Sequence, residues 1–198
     1  MPDTVLPTQI TDRLDEAERA LLLKFARQAL EDGVCRRPLP PLFQEALSPR
    51  LRRPGASFVT LTSHGELRGC IGTLEATLPL AEDVRQHAIA AALEDYRFPP
   101  VQVDELPFIR IEVSRLTEPR PLEYRDADDL LHQLRPGVDG VVLRDGLRRA
   151  TFLPQVWEKV PEVDTFLGML CSKMGAPSDA WRKKKLTVQV YEVEEFHE

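Results

Sequence analysis

The residue with the clearest capacity for chemistry is Cys70, which stands in the run Arg68-Gly69-Cys70-Ile71-Gly72. A thiolate is the reactive form of cysteine, and a neighbouring guanidinium favours it over the neutral thiol. If the run is an extended strand, alternate side chains share a face, so Arg68 and Cys70 point to the same side. Glycine packs poorly within a strand, so Gly69 and Gly72 indicate a bulge or the close approach of another group. The run therefore predicts a functional surface centred on Cys70, with Ile71 on the opposite face.

Two other side chains are candidates for exchanging protons with Cys70, because a nucleophilic cysteine needs a base or a cation nearby. They are His64, in the turn before the run, and Glu112, on a later strand. The competing interpretation is structural: Arg68, Glu112 and Arg97 form a polar network, and Cys70 is only a small packed residue. No tight spacing of cysteine, histidine and carboxylate residues predicts a metal site, and the sequence names no cofactor.

The elements that must position these residues follow from the pattern of apolar side chains. Residues 58–62 and the segment that begins at Leu67 are extended and flank a glycine-containing turn, which predicts a β-hairpin. An apolar stripe with small residues predicts a helix over 79–95. Residues 108–116 alternate cleanly and predict a central strand, which places the candidate binding residue Ser114 on the face of Glu112.

The rest of the chain predicts more helices, a second hairpin and a closing strand. A capping box at Asp15 begins the first helix, and Asp126 caps a short acidic one. The later elements are a hairpin at 140–153, helices over 154–157 and 166–174, and a strand at 186–193. This order predicts an α+β fold, a mixed or antiparallel sheet with packed helices. We expect a single domain over 12–195, and a smaller lobe near 117–150 is compatible with its proline-marked and turn-like ends.

Composition narrows the class of protein. The chain has 198 residues, 42% hydrophobic and 29% charged, with a net charge of −6, which argues against a nucleic-acid partner. Its three cysteines lie far apart and form no CxxC pair, as expected for reduced thiols in a cytosol. Residues 1–11 carry no apolar run and predict no signal peptide, and no stretch is long and apolar enough for a membrane helix. We therefore expect a soluble, cytoplasmic protein.

Several segments together resemble the AMMECR family. They are the run 67–73, the segment 97–101 (Arg-Phe-Pro-Pro-Val), the strand 112–117, the segment 150–154 (Ala-Thr-Phe-Leu-Pro) and Lys-Met-Gly at 173–175. The Arg-Gly-Cys-Ile-Gly run is highly specific in this context, and the resemblance covers nearly the whole chain after the first helix. Residues 157–163 lack the Gly-Trp pair of the eukaryotic branch and resemble the bacterial one.

The resemblance implies an AMMECR-type fold with a larger and a smaller subdomain. It also implies a protein similar to protein A of the AmmeMemoRadiSam system, working beside a Memo-like protein and a radical-SAM enzyme. It implies no reaction. We therefore favour a binding or accessory component whose Arg68–Gly72 surface, with Arg97, Ser114 and His64, docks a small molecule or a partner protein. The alternative is an enzyme that uses Cys70 as a nucleophile or redox thiol, with Glu112 as its acid or base.

Overall fold

Two antiparallel sheets organise the chain in the computed structural model, which describes residues 13–198. Asp12, the first residue of the predicted domain, and residues 1–11, which predict no signal peptide, lie outside that range. The larger sheet has strand order β2-β1-β4-β9, and the short β3 pairs with the start of β1 beside β2. Its strands are β1 (Pro54–Ser63), β2 (Glu66–Gly72), β3 (Leu78–Pro79), β4 (Ile109–Leu116) and β9 (Val193–His197).

The smaller sheet has the order β5-β8-β6-β7. Its strands are β5 (Arg120–Pro121), β6 (Gly140–Asp145), β7 (Arg148–Phe152) and β8 (Thr187–Tyr191). The helices are α1 (Glu16–Val34), α2 (Pro49–Arg52), α3 (Leu80–Leu93), α4 (Ala127–Gln133), α5 (Val163–Lys173) and α6 (Ala180–Lys183), with 3₁₀ turns at Gln44–Ala46, Val103–Phe108 and Pro154–Glu158. The predicted α+β class is confirmed, and both sheets are antiparallel throughout their described strands.

Local sequence explains the elements that carry the Cys70 run. The turn between β1 and β2 consists of His64 and Gly65, both at positive φ (52° and 85°), the geometry of a tight two-residue hairpin turn. The predicted capping box of α1 is present, since the Asp15 carboxylate accepts from Glu18 N at 2.8 Å and Glu18 returns the bond to Asp15 N at 3.0 Å. Both predictions are confirmed.

The main core lies between the larger sheet and helices α1 and α3. Residues of both helices and of β1, β4 and β9 are buried there together: Leu22, Ala26, Leu30, Val59, Leu61, Val84, Ala88, Ile109, Ile111, Val113 and Phe196. The prediction that 108–116 forms a central strand, with the 79–95 helix packed on the same sheet, is confirmed: β4 lies between β1 and β9, α3 packs on β1 and β2, and α1 packs on β4. A second core joins the smaller sheet to α4, α5 and α6, and there Trp157 stacks on Phe166 at 3.6 Å.

The two sheets meet through a third, smaller apolar cluster. Ala56 and Leu116 of the larger sheet are buried with Val142 and Tyr191 of the smaller one, and Phe58 packs against them. The contact covers one end of the face of the larger sheet that points away from α1 and α3. The rest of that face carries the Cys70 side chain.

The end of the chain corrects the prediction of a single closing strand at 186–193. Two strands stand there, β8 in the smaller sheet and β9 in the larger, and Glu192 is the residue between them. Glu192 N donates to the Thr117 hydroxyl, and its carboxylate pairs with Arg135. Apolar residues alternate at 186, 188 and 190 and then shift phase to 191 and 193, and this shift coincides with the end of β8. The smaller sheet contains residues of 120–191, well beyond 117–150, and the division into lobes stays a prediction.

Candidate functional site

Cys70 lies in a row of side chains that crosses the larger sheet. The strand register pairs Cys70 with Thr60, Thr60 with Glu112, and Glu112 with His197. Residues directly opposite each other on antiparallel strands point to the same face. This Cys70 row therefore lies on the face away from α1 and α3, beside the contact between the sheets. Cys70 and Glu112 are partly buried, and His197 is exposed.

The thiol and the backbone of Cys70 are both held by hydrogen bonds. The Thr60 hydroxyl donates to Sγ at 3.3 Å. On the outer edge of β2, Cys70 N donates to Asp95 Oδ2 at 2.8 Å, and the Cys70 carbonyl accepts from Arg97 Nη2 at 3.2 Å. Asp95 is buried and accepts two further bonds from the Arg97 guanidinium, at 2.6 and 2.9 Å. These bonds hold the pKa of the Asp95 carboxyl far below its usual range and raise the pKa of Arg97.

The predicted pairing of Arg68 with Cys70 is not what the structure contains. The register of β2 shifts between Leu61 and Thr62, so that Leu61 faces Gly69 and Thr62 faces Leu67, with Arg68 as the extra residue of a β-bulge. Simple alternation therefore fails at Arg68. Its guanidinium makes a two-pronged ion pair with Glu105 at 2.7 and 3.0 Å and donates to the Pro99 carbonyl at 2.9 Å.

Because Arg68 binds Glu105 and Arg97 binds Asp95, neither guanidinium pairs with Glu112 as the structural interpretation expected. The bonds from Arg68 lower the pKa of Glu105. A polar network does exist, but its carboxylates come from the segment 94–108, which runs along the edge of β2. Asp95, Glu105 and Thr60 are the site residues that the sequence pattern missed. The only available signal was the position of Asp95 and Arg97 just after the end of α3.

The glycines of the run have steric explanations. A Cβ at Gly69 would overlap the carbonyl oxygen of Ala91 in α3, and a Cβ at Gly72 would overlap the Phe58 ring. Gly69 is therefore required by the close packing of α3 on β2. Ile71 faces the main core, as its partly buried contacts show.

The remaining candidates lie apart from the thiol. Glu112 is two strands from Cys70, which separates their Cα atoms by roughly 10 Å, with Thr60 between them. His64 is four residues along the strand from Thr60, about 13 Å away at the rise of an extended chain, and its ring lies 5.0 Å from that of Phe108. Ser114 is buried on β4 opposite Phe58. Of the predicted site residues outside the Arg68–Gly72 run, the structure thus brings only Arg97 into direct contact with Cys70.

Residues 13–198 contain neither a metal-binding cluster nor a membrane-spanning helix. No group of three or more histidine, cysteine and carboxylate residues is placed to hold a metal ion in this part of the chain. Within the same residues, every helix is too short or too polar to cross a membrane.

The chain is similar to known proteins in sequence and in fold. The model of the AMMECR1 family matches residues 23–196. A protein of Thermofilum pendens is 39% identical over 94% of this chain and 92% of its own length, and one of Methanothermobacter thermautotrophicus is 39% identical over 93% and 96%. The crystal structure of the uncharacterised protein PH0010 from Pyrococcus horikoshii superposes with a TM-score of 0.72 at 30% identity, covering 93% of each chain. These relatives are archaeal and do not support the bacterial branch expected from residues 157–163.

Proposed function

The chain belongs to the AMMECR1 family, and from that membership we propose that it is a binding component that works beside a Memo-like protein and a radical-SAM enzyme. Its docking surface is the Arg68–Gly72 segment together with the Cys70 row. The partners follow from the family resemblance.

The observation that carries the proposal is the state of Cys70. Its backbone donor and acceptor are taken by Asp95 and Arg97, so a partner cannot add a strand at this point of the edge. Its side chain remains partly exposed on the sheet face, with the polar groups of Thr60 and Glu112 in line. A rigid backbone that presents an accessible thiol and a carboxylate favours recognition through side chains.

Binding of the purified Memo-like and radical-SAM proteins of the same genome tests the proposal, by biolayer interferometry with the immobilised chain. We expect Cys70→Ser and Glu112→Gln each to weaken capture while costing at most about 1–2 kcal/mol of stability, since both substitutions nearly conserve volume. Cys35→Ser makes the same change at the end of α1, far from β2 in sequence and on another element, and should bind like the wild type. Wild-type chain that captures neither protein, or folded row variants that bind normally, would overturn the proposal.

One contact favours the alternative enzyme that uses Cys70 as a nucleophile or redox thiol. The hydroxyl of Thr60 donates to Sγ, so the sulfur has a polar partner on the partly exposed face of the sheet. In that case Thr60 is the side chain that contacts Sγ, since Arg97 binds the Cys70 carbonyl and Glu112 lies too far for direct proton transfer.

A further inference from the structure

A cleft of about 580 Å³ lies where the larger sheet meets the smaller one. It is formed by the start of β1, the end of β4, the loop between β2 and β3, and strands β6, β7 and β8. Its volume is within the range typical of small-molecule sites, which occur preferentially at such junctions. The cleft is separate from the Cys70 row, and none of the sequence candidates lines it.

The lining combines an apolar wall with a concentration of positive charge. Leu74, Leu80, Leu116 and Val142 supply apolar surface, with the aromatic ring of Tyr191. Four arginines from three segments converge on the same space as two carboxylates: Arg50, Arg53, Arg115 and Arg149, with Glu75 and Glu118. The chain as a whole carries a net charge of −6. Arginines nevertheless outnumber carboxylates in the lining of this cleft, and guanidinium groups gathered at one place attract anions.

The arginines differ in how firmly they are held. Arg115 is buried and binds the buried Glu194 at 3.2 Å, and Arg50 binds Glu18 at 3.1 Å. Arg53 is exposed, and its guanidinium makes no ion pair or hydrogen bond with any of residues 13–198. Ion pairs thus hold two of the four arginines in the wall of the cleft, whereas the exposed guanidinium of Arg53 is available to bind a ligand.

The guanidinium of Arg149 is also able to bind a ligand. It reaches from β7 to Glu75 in the loop between β2 and β3, an Nη1–Oε1 distance of 3.0 Å that bridges the two sheets. The Glu75 side chain is 68% exposed and that of Arg149 is 34% exposed. Exposed ion pairs of this kind contribute only about 0–1 kcal/mol. A ligand anion can therefore take the place of Glu75 on Arg149.

We propose that this cleft binds a small organic anion, a phosphate or carboxylate carried on an apolar group. The anionic end binds Arg149 and Arg53, which suit the planar two-pronged contact that guanidinium groups make with both anions. The apolar end packs on Leu74, the half-buried leucine of the apolar wall. This site is separate from the proposed protein-docking surface on the Cys70 row, so an experiment can refute one proposal without refuting the other.

Ligand-observed NMR titration tests the site with phenyl phosphate and benzoate, and with phenol as the uncharged counterpart. Loss of one charge-assisted contact should weaken binding of the preferred anion roughly tenfold in Arg149→Gln. Glu75→Gln should instead tighten binding, because it removes the competing carboxylate. Arg182→Gln makes the same change of charge at an exposed arginine on Trp181, outside the cleft, and should leave binding unchanged.

The opposite signs of the two cleft variants separate a site from general electrostatic attraction. Preference for phenyl phosphate or for benzoate identifies the anion. The proposal is overturned if neither anion binds, if phenol binds equally well, if Arg182→Gln weakens binding as much as Arg149→Gln, or if Glu75→Gln fails to tighten it.

Discussion

Replacement of Asp95 by Asn should show how firmly the edge of the larger sheet is held at Cys70. The Asp95 carboxylate accepts four hydrogen bonds: Oδ1 from Arg97 N and Nε, and Oδ2 from Cys70 N and Arg97 Nη2. An amide can place its oxygen on only one of these two sides. Its NH₂ group then faces two donors, whichever way it is turned, and two bonds are lost.

The expected loss of stability follows from the hydrogen-bond donors that Asp95→Asn leaves without an acceptor. A buried donor without a partner costs about 1–3 kcal/mol, and the lost charge-assisted bond adds to this, although the partly exposed Arg97 can still reach water. We expect Asp95→Asn to lower the free energy of unfolding by about 2–4 kcal/mol, or Tm by roughly 5–15 °C for a chain of this size. The Cys70 amide should also lose protection from hydrogen exchange.

The same substitution at Asp129 is the control. Asp129 also accepts from a neighbouring arginine, Arg125, but that side chain is 85% exposed. Both of these bonds end on Oδ2, so an amide oxygen in that place keeps them, and Asp129→Asn should cost less than about 1 kcal/mol. Urea denaturation of both variants measures the difference. Equal losses would refute the conclusion that Asp95 anchors β2.

The pH dependence of the Asp95→Asn effect has a definite sign. Because the pKa of Asp95 is lowered in the folded state, its contribution is fully present above the unfolded pKa of about 3.9 and is lost as the pH falls below it. The stability difference between the wild type and Asp95→Asn should be constant from pH 5 to 8 and should narrow below about pH 4. A difference that widens on acidification would contradict the assignment.

The other predictions concern the run itself. Gly69→Ala should destabilise the protein by about 3 kcal/mol or more, since the backbone of α3 must move to make room for the methyl group. Gly65→Ala should cost only about 1–2 kcal/mol, because the new methyl group meets no atom and the cost comes from the φ of +85°. Equal losses of stability in thermal unfolding would assign both effects to backbone strain. If Cys70 is a functional thiolate, iodoacetamide should alkylate it faster than the half-buried Cys35 and far faster than the buried Cys171, whose pKa is raised by burial. Equal rates at Cys70 and Cys35 would favour an inert thiol.

Local signals in the sequence predicted the elements well. The alternation of 108–116, the stripe of 79–95 and the capping box at Asp15 each depend on residues within one segment, and the structure contains all three elements. The same holds for the turn at His64 and Gly65. Such signals survive folding because the period of a helix or strand is set by its own backbone.

The pairing of side chains could not be predicted in the same way. A one-residue bulge at Arg68 interrupts the alternation on which its assignment to the Cys70 face depended. Its partner Glu105 and the partner of Arg97, Asp95, belong to a segment whose path along β2 has no periodic signature. The cleft could not be predicted either, because its arginines come from three segments that lie far apart in the sequence. Contacts of this kind are set by tertiary packing alone.

The packing also changes what the Arg-Gly-Cys-Ile-Gly run implies. Its glycines suggested recognition, because a strand selected only for stability would carry larger residues. Gly69 and Gly72 in fact make room for α3 and Phe58, Ile71 fills the core, and Arg68 holds the segment at Glu105. Structural requirements therefore explain the residue type at four of the five positions of the run. The side chain of Cys70 is the exception, because serine or alanine would fill the same space without a thiol. Any chemistry specific to the run must therefore involve the Cys70 Sγ and the Thr60 hydroxyl that donates to it. Variants of these two residues are consequently more informative than variants of the glycines.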